Sequence, residues 1–77
     1  MKKLPVISGE KLIKTLRKRG FSVVRQKGSH VRLKYKTIEK TRKLTIPLHD
    51  PLKKGTLAKI LKEAGVSREE LLDLMKK

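Results

Sequence analysis

Hydrophobic and polar positions change their period along the chain, and these changes divide it into segments. Between residues 8 and 19 the apolar residues follow helical spacing, and Gly20 is of a type that commonly ends a helix. β-forming residues dominate from residue 21 to residue 48, and helical spacing returns from residue 56. The pattern therefore predicts a helix, a group of strands and further helices, in that order.

The first helix is expected over residues 8–19. Ser8 is suited to cap its N-terminus, because a serine hydroxyl accepts hydrogen bonds from the exposed N–H groups of a first turn. Leu12, Ile13 and Leu16 form one apolar stripe, and the lysine and arginine residues between them are predicted to face solvent.

Three strands are predicted to follow, over residues 21–27, 30–35 and 43–48. Gly28-Ser29 is a hairpin turn signal, and residues 36–42 form a polar loop. Such short connections predict an antiparallel sheet. In the second and third strands apolar residues alternate with polar ones, which predicts a core-facing set: Val31, Leu33, Tyr35, Leu44, Ile46 and Leu48.

Two helices are predicted after the sheet. Thr56 is the expected cap of the first, and Gly65 ends it. Its apolar residues recur at i, i+3, i+4 and i+7: Leu57, Ile60, Leu61 and Ala64. Ser67 and Glu70 form a capping box for a helix over 67–77. The apolar side of that last helix packs either in the domain's own core or against a partner: Leu71, Leu72, Leu74 and Met75.

This order predicts a single α+β domain with helices on one face of a three-stranded antiparallel sheet and the other face open. Pro47 cannot donate to a strand ladder, so the third strand should lie at an edge or end there. The open face would carry His30, Arg32, Lys34, Lys43, Thr45 and His49. His30 should oppose Pro47 or His49 across the two strands, which would bring both histidines close together.

Charge narrows the class of partner. Lys and Arg total 22 against 7 Asp and Glu, a net charge of +15 over 77 residues. A small domain with this charge attracts polyanions, and nucleic acid is favoured over an acidic protein or an anionic membrane. The chain has no cysteine, which excludes disulfides and thiol catalysis. No apolar run is long enough to span a membrane and no signal peptide is evident, so we expect a cytoplasmic protein without a membrane partner.

His30 is the candidate for chemistry. A histidine can take a proton from an RNA 2′-hydroxyl or give one to the leaving oxygen, and nearby cations can stabilise the negative charge that develops. The alternative is an exposed strand-end histidine without a task. His49 and Asp50 are adjacent on an extended segment and point apart, which disfavours a direct pair. With few acids and no carboxylate cluster, neither a metal nor another cofactor is predicted.

Two further segments are candidate anion contacts. Gly28 and Ser29 either present N–H groups and a hydroxyl to a phosphate or simply form the turn. Lys53 and Lys54 precede the second helix, where free N–H groups and lysines favour an anion. Ordinary capping and solubilising lysines explain that segment equally well.

Two blocks of the sequence stand at a recognisable spacing. The first runs from Ser8 to His30 and ends in Arg25-Gln26-Lys27-Gly28-Ser29-His30. The second runs from Ile46 to Gly65 and includes Ile46-Pro47-Leu48-His49 and Lys53-Lys54-Gly55-Thr56-Leu57. Together they resemble the HicA toxin family of bacterial and archaeal toxin–antitoxin systems over about residues 4–66.

The resemblance implies a double-stranded-RNA-binding-like α-β-β-β-α fold, extended here by residues 67–77. It implies an mRNA interferase, an endoribonuclease that blocks translation and growth, with His30 as its catalytic histidine. It also implies a HicB-type antitoxin that covers the active face, and leaves a homo-oligomer or a toxin–antitoxin hetero-oligomer open. The alternative function is a non-catalytic RNA-binding module using the same face. On either hypothesis the expected RNA contacts are Arg25, Lys27, Gly28, Ser29, Arg32, Lys34, Lys43, His49, Lys53 and Lys54.

Overall fold

A computed structural model describes residues 4–76 as three helices and one three-stranded sheet. The elements in chain order are α1 (Gly9–Arg19), β1 (Ser22–Lys27), β2 (His30–Lys36), β3 (Thr41–Pro47), α2 (Lys54–Ala64) and α3 (Arg68–Met75). Both strand pairs are antiparallel and the sheet order is β1-β2-β3. The predicted α+β fold is therefore confirmed. Residues 1–3 of the predicted domain and Lys77, the end of the predicted third helix, lie outside the described residues.

The helices cover one face of the sheet. Ser8 caps α1 as predicted, accepting a hydrogen bond from the Lys11 N–H at 3.1 Å. Gly20 takes the left-handed conformation that ends α1. The buried apolar side chains come from all three helices, from the inner positions of β2 and β3, and from the connecting segments: Ile7, Leu12, Leu16, Phe21, Val31, Leu33, Leu44, Ile46, Leu52, Leu57, Ile60, Leu61, Ala64, Val66 and Leu71.

Two local predictions were wrong. Thr56 does not cap α2, because the helix begins at Lys54, with Lys53 at the N-cap position and no side-chain cap hydrogen bond. Leu48 does not face the core, because β3 ends at Pro47 and the Leu48 side chain is 38% exposed. Once the strand has ended, the alternation of faces no longer applies to the residue that follows.

The loop between β2 and β3 is shorter than predicted. Lys36 still pairs with Thr41, so the ladder continues two residues beyond the expected start of β3. Thr37 tightens the connection, since its hydroxyl donates to the Lys40 carbonyl at 2.8 Å and accepts from the Lys40 N–H at 3.1 Å. Local side-chain bonds of this kind form turns that a count of polar residues does not reveal.

The third helix packs within the domain itself. Leu71 and Leu74 are buried, which confirms the core alternative for this helix. At its surface the Arg19 Nε donates to Glu70 at 2.5 Å, and the Arg19 Nη1 donates to the Tyr35 hydroxyl at 3.3 Å. These hydrogen bonds, first to Tyr35 and then to Glu70, raise the pKa of Arg19 above its ordinary value. One guanidinium thus joins α1, β2 and α3.

Gly9 lies where the start of α1 meets the end of β3. Its N–H donates to the His49 carbonyl at 2.8 Å, and a Cβ at Gly9 would lie 2.0 Å from the Pro47 carbonyl oxygen. Because backbone would have to move, we expect Gly9→Ala to lower the free energy of unfolding by about 1–3 kcal/mol in urea titrations. The control is Gly55→Ala, whose Cβ would meet nothing within 4 Å. Equal losses in the two variants would contradict this explanation.

Candidate active site on the open face of the sheet

His30 lies at the mouth of the β1–β2 hairpin. It is the first residue of β2, exposed, opposite Lys27 on one side and Pro47 on the other. Gly28 supplies the positive φ of 59° that the two-residue turn requires. The φ angle of Ser29 is not positive. The turn is also fixed from the other side, because the Leu48 N–H donates to the Ser29 carbonyl at 2.7 Å. The imidazole is therefore mounted on backbone held by both neighbouring strands.

Of the two predicted partners of His30 across the sheet, Pro47 is the one observed. His49 follows after the end of β3, and its carbonyl accepts the N–H of Gly9. It does not line the depression around His30 that is described below. Close approach of the two imidazoles stays a prediction.

A β-bulge interrupts the first strand. Val23 opposes Leu33 and Arg25 opposes Arg32, so Val24 is an extra residue in the ladder. One extra residue reverses the face on which all later residues of a strand lie. Without it, Arg25 would share the face of Val23, on the core side of the sheet.

The bulge decides which β1 side chains join the open face. After it, Arg25 lies opposite Arg32 and Lys27 lies opposite His30. Residues directly opposite in an antiparallel pair share a face, so all four belong to the open side. Both cations of β1 that were predicted to contact RNA thereby come beside the histidine.

A shallow depression of about 610 Å³ surrounds the imidazole. Its lining residues are Arg25, Lys27, His30, Arg32 and Thr45. Arg32 also borders two neighbouring depressions, one with Lys34 and Lys43 and one that reaches α2. It therefore lies near the centre of the open face.

Like charges face each other across this sheet. Arg25 opposes Arg32 and Lys34 opposes Lys43. β1, β2 and β3 contain no Asp or Glu. Directly opposed like charges destabilise a sheet, and a bound polyanion removes that repulsion. The arrangement costs stability in the free protein and favours an anionic ligand.

The other predicted contacts lie around this centre. Gly28 and Ser29 are exposed at the hairpin turn next to His30. Lys53 and Lys54 stand at the exposed start of α2 and do not line the His30 depression. Within residues 4–76, no group of three or more His, Asp and Glu side chains is placed to hold a metal ion. None of the helices there has the length and apolar character that crossing a membrane requires.

Sequence reasoning missed the bulge and the position of Thr45 in the depression. The sequence does contain a signal for the bulge. Val23 and Val24 are consecutive apolar residues, and the rest of β1 is polar. Such a break in alternation allows an extra residue, but it also fits a strand buried on both sides. Thr45 was correctly assigned to the open face. Its proximity to His30, however, follows from the register between β2 and β3, which the sequence left open.

The chain was compared with protein-family models. A model described as HicA toxin of bacterial toxin–antitoxin systems matches residues 9–66. The matched range runs from the start of α1 to just beyond α2, so it contains the whole sheet and omits α3. A search of curated proteins gave no significant match.

Proposed function

Because the chain belongs to the HicA toxin family of bacterial toxin–antitoxin systems, we propose that it is an endoribonuclease that cleaves mRNA and so inhibits translation and growth. The observation that carries the proposal is an exposed imidazole in a depression lined by three cations and one hydroxyl. A histidine among cations, with no acid in the strands, suits attack on a phosphodiester. An mRNA substrate puts the proposed site of action in the cytoplasm.

His30 is the proposed general acid or base. In metal-independent cleavage the RNA 2′-oxygen forms a bond to the adjacent phosphorus, and the bond from phosphorus to the 5′-oxygen breaks. One proton leaves the 2′-hydroxyl and another must reach the 5′-oxygen. Imidazole can perform either transfer at neutral pH, which is why histidine serves in such reactions. The exposure of His30 leaves it accessible to the RNA backbone.

The cations of the depression have a second role in the proposal. Negative charge accumulates on the phosphate oxygens as the new bond forms, and donors fixed in advance stabilise it. Arg25, Lys27 and Arg32 surround His30 and would supply those donors. Further phosphates along the RNA would contact the predicted residues that lie outside the depression: Gly28, Ser29, Lys34, Lys43, His49, Lys53 and Lys54.

Little base recognition is proposed at this face. Sequence-specific RNA contacts commonly stack unpaired bases on aromatic side chains. The chain's Phe21 and Tyr35 instead stack on each other with centroids 5.2 Å apart, Phe21 within the core and Tyr35 packed against it. Backbone contacts should therefore dominate binding.

Family membership also implies an antitoxin partner. We propose a HicB-type antitoxin that covers the open face, where the like-charged pairs Arg25–Arg32 and Lys34–Lys43 would attract acidic side chains. Such a partner would block RNA and shield His30 at the same time.

The test of the proposed function is RNA cleavage by the purified protein in the presence of a chelator, together with growth after induction. We expect RNA fragments and growth arrest. A non-catalytic RNA-binding module is the second candidate, favoured by the same basic face. It would bind RNA with a steep salt dependence and leave the RNA intact.

Arg32 is expected to make the strongest single contribution to phosphate binding, because it borders the His30 depression and both neighbouring depressions described above. Arg32→Gln should weaken RNA binding by about tenfold, the loss typical of a charge-assisted hydrogen bond. The plot of log affinity against log salt concentration should become shallower by about 1. The control is Arg17→Gln, on the exposed surface of α1. Equal losses for both variants would show that total charge alone controls binding.

A further inference from the structure

Among the described residues, Thr45 provides the only hydroxyl group that lines the His30 depression; the others there are the imidazole itself and three cations. It lies opposite Arg32 on β3, two residues before Pro47, which is the partner of His30. Thr45 is therefore the diagonal neighbour of His30, at a Cα separation of about 7–8 Å. Since the proline side chain cannot hydrogen-bond, Thr45 provides the hydroxyl on this side of the imidazole.

The Thr45 hydroxyl makes no hydrogen bond to any other described residue. Several hydroxyl groups of the chain, though not all of them, have structural partners: Ser8 and Ser67 cap helices, Thr15 donates to the Lys11 carbonyl, and Thr37 closes a turn. Thr45 is exposed in the middle of β3, so neither a cap nor a turn explains it. Its hydroxyl is available to a ligand in the depression.

The chemistry of the neighbours indicates which part of an RNA it would contact. Arg25, Lys27 and Arg32 already offer charged donors to the phosphate oxygens. A threonine hydroxyl both donates and accepts, and so matches a ribose 2′-hydroxyl, which also does both. The 2′-hydroxyl is the group that distinguishes RNA from DNA.

We propose that Thr45 binds the ribose 2′-hydroxyl next to His30 and thereby selects RNA over DNA. This inference rests on the proposed function, because it assumes that RNA occupies the depression. Thr45 would hold the attacking oxygen within reach of the imidazole, while the three cations hold the phosphate. In this proposal Thr45 determines specificity, and His30 performs the proton transfer.

The test compares binding of a short single-stranded RNA with binding of a DNA of the same sequence, in a His30→Ala background that prevents cleavage. Thr45→Val keeps the branched shape of the side chain and removes the hydroxyl. We expect it to lower RNA affinity by about fivefold, the worth of one neutral hydrogen bond, and to leave DNA affinity unchanged. Thr45→Ser, which restores a hydroxyl, should restore the preference for RNA.

Thr41→Val is the matched control. Thr41 is also exposed on the open face of β3, but it pairs with Lys36 at the far end of the strand. This variant should leave both affinities unchanged. The proposal is overturned if Thr45→Val lowers RNA and DNA affinity equally, or lowers neither. Failure of the proposed function is a separate result, since it would appear as wild-type protein that cleaves no RNA.

Discussion

Replacing His30 by alanine is expected to lower the rate of RNA cleavage by about 10²–10⁴-fold, the usual contribution of a general acid or base. Growth arrest after induction should disappear with it. The structure offers no second imidazole in the depression that could take over the proton transfer, since His49 is not among its lining residues. The measurement is the single-turnover cleavage rate of a labelled RNA, with growth curves of induced cells beside it.

His49→Ala is the matched control, because it removes the only other histidine of the chain; as a proposed phosphate contact outside the depression, it should keep the cleavage rate measured with saturating protein. The cations that line the depression remain in both variants, so RNA binding by His30→Ala should stay close to that of the wild type. A variant that loses binding and cleavage together would indicate a damaged surface instead of a lost catalyst. Cleavage that survives in His30→Ala and is lost in His49→Ala would transfer the catalytic role to His49.

Much of the architecture could be predicted because it depends on local patterns. The alternation of Val31 and Leu33 with Arg32 and Lys34 defined both faces of β2, and the structure keeps that division. Ser8 was correctly predicted as a cap, since capping involves only residues of the first turn. Because the connections between consecutive strands are short enough for hairpins, the sheet order β1-β2-β3 was the simplest one to predict.

The composition of the site depended on non-local features. Which β1 side chains reach the open face is decided by the bulge at Val24, and a bulge is set by pairing with β2. The neighbourhood of Thr45 and His30 depends on the register between β2 and β3, which was predicted only as two alternatives. Thr56 is not the cap because α2 extends three residues further toward its N-terminus, with Lys53 at the N-cap position and no side-chain cap.

The third helix could be predicted from its capping box, but the surface against which it packs could not. An amphipathic helix buries its apolar side against whatever surface is available, and the sequence does not say whether that surface is its own domain. The structure puts Leu71 in the same core cluster as Leu12 and Leu16 of α1. Residues beyond the matched range 9–66 therefore contribute to the core under the sheet.

This packing leads to the second large effect, which concerns stability. Leu71 is fully buried, with 0% of its surface exposed. We expect Leu71→Ala to lower the free energy of unfolding by about 2–5 kcal/mol, through lost apolar burial and the cavity that remains. The total free energy of unfolding of a folded domain is roughly 5–15 kcal/mol, and small domains lie near the lower limit. The loss expected for Leu71→Ala would therefore be a large share of the total stability. Urea unfolding followed by circular dichroism measures it.

Leu72→Ala is the matched control, because Leu72 is adjacent on α3 and only half-buried. It should cost about 1 kcal/mol or less. A small effect of Leu71→Ala, equal to that of Leu72→Ala, would mean that α3 is an appendage and that the domain core ends near residue 66. A large effect at Leu71 alone would make α3 part of the core that supports the sheet, and so of the scaffold on which His30 is mounted.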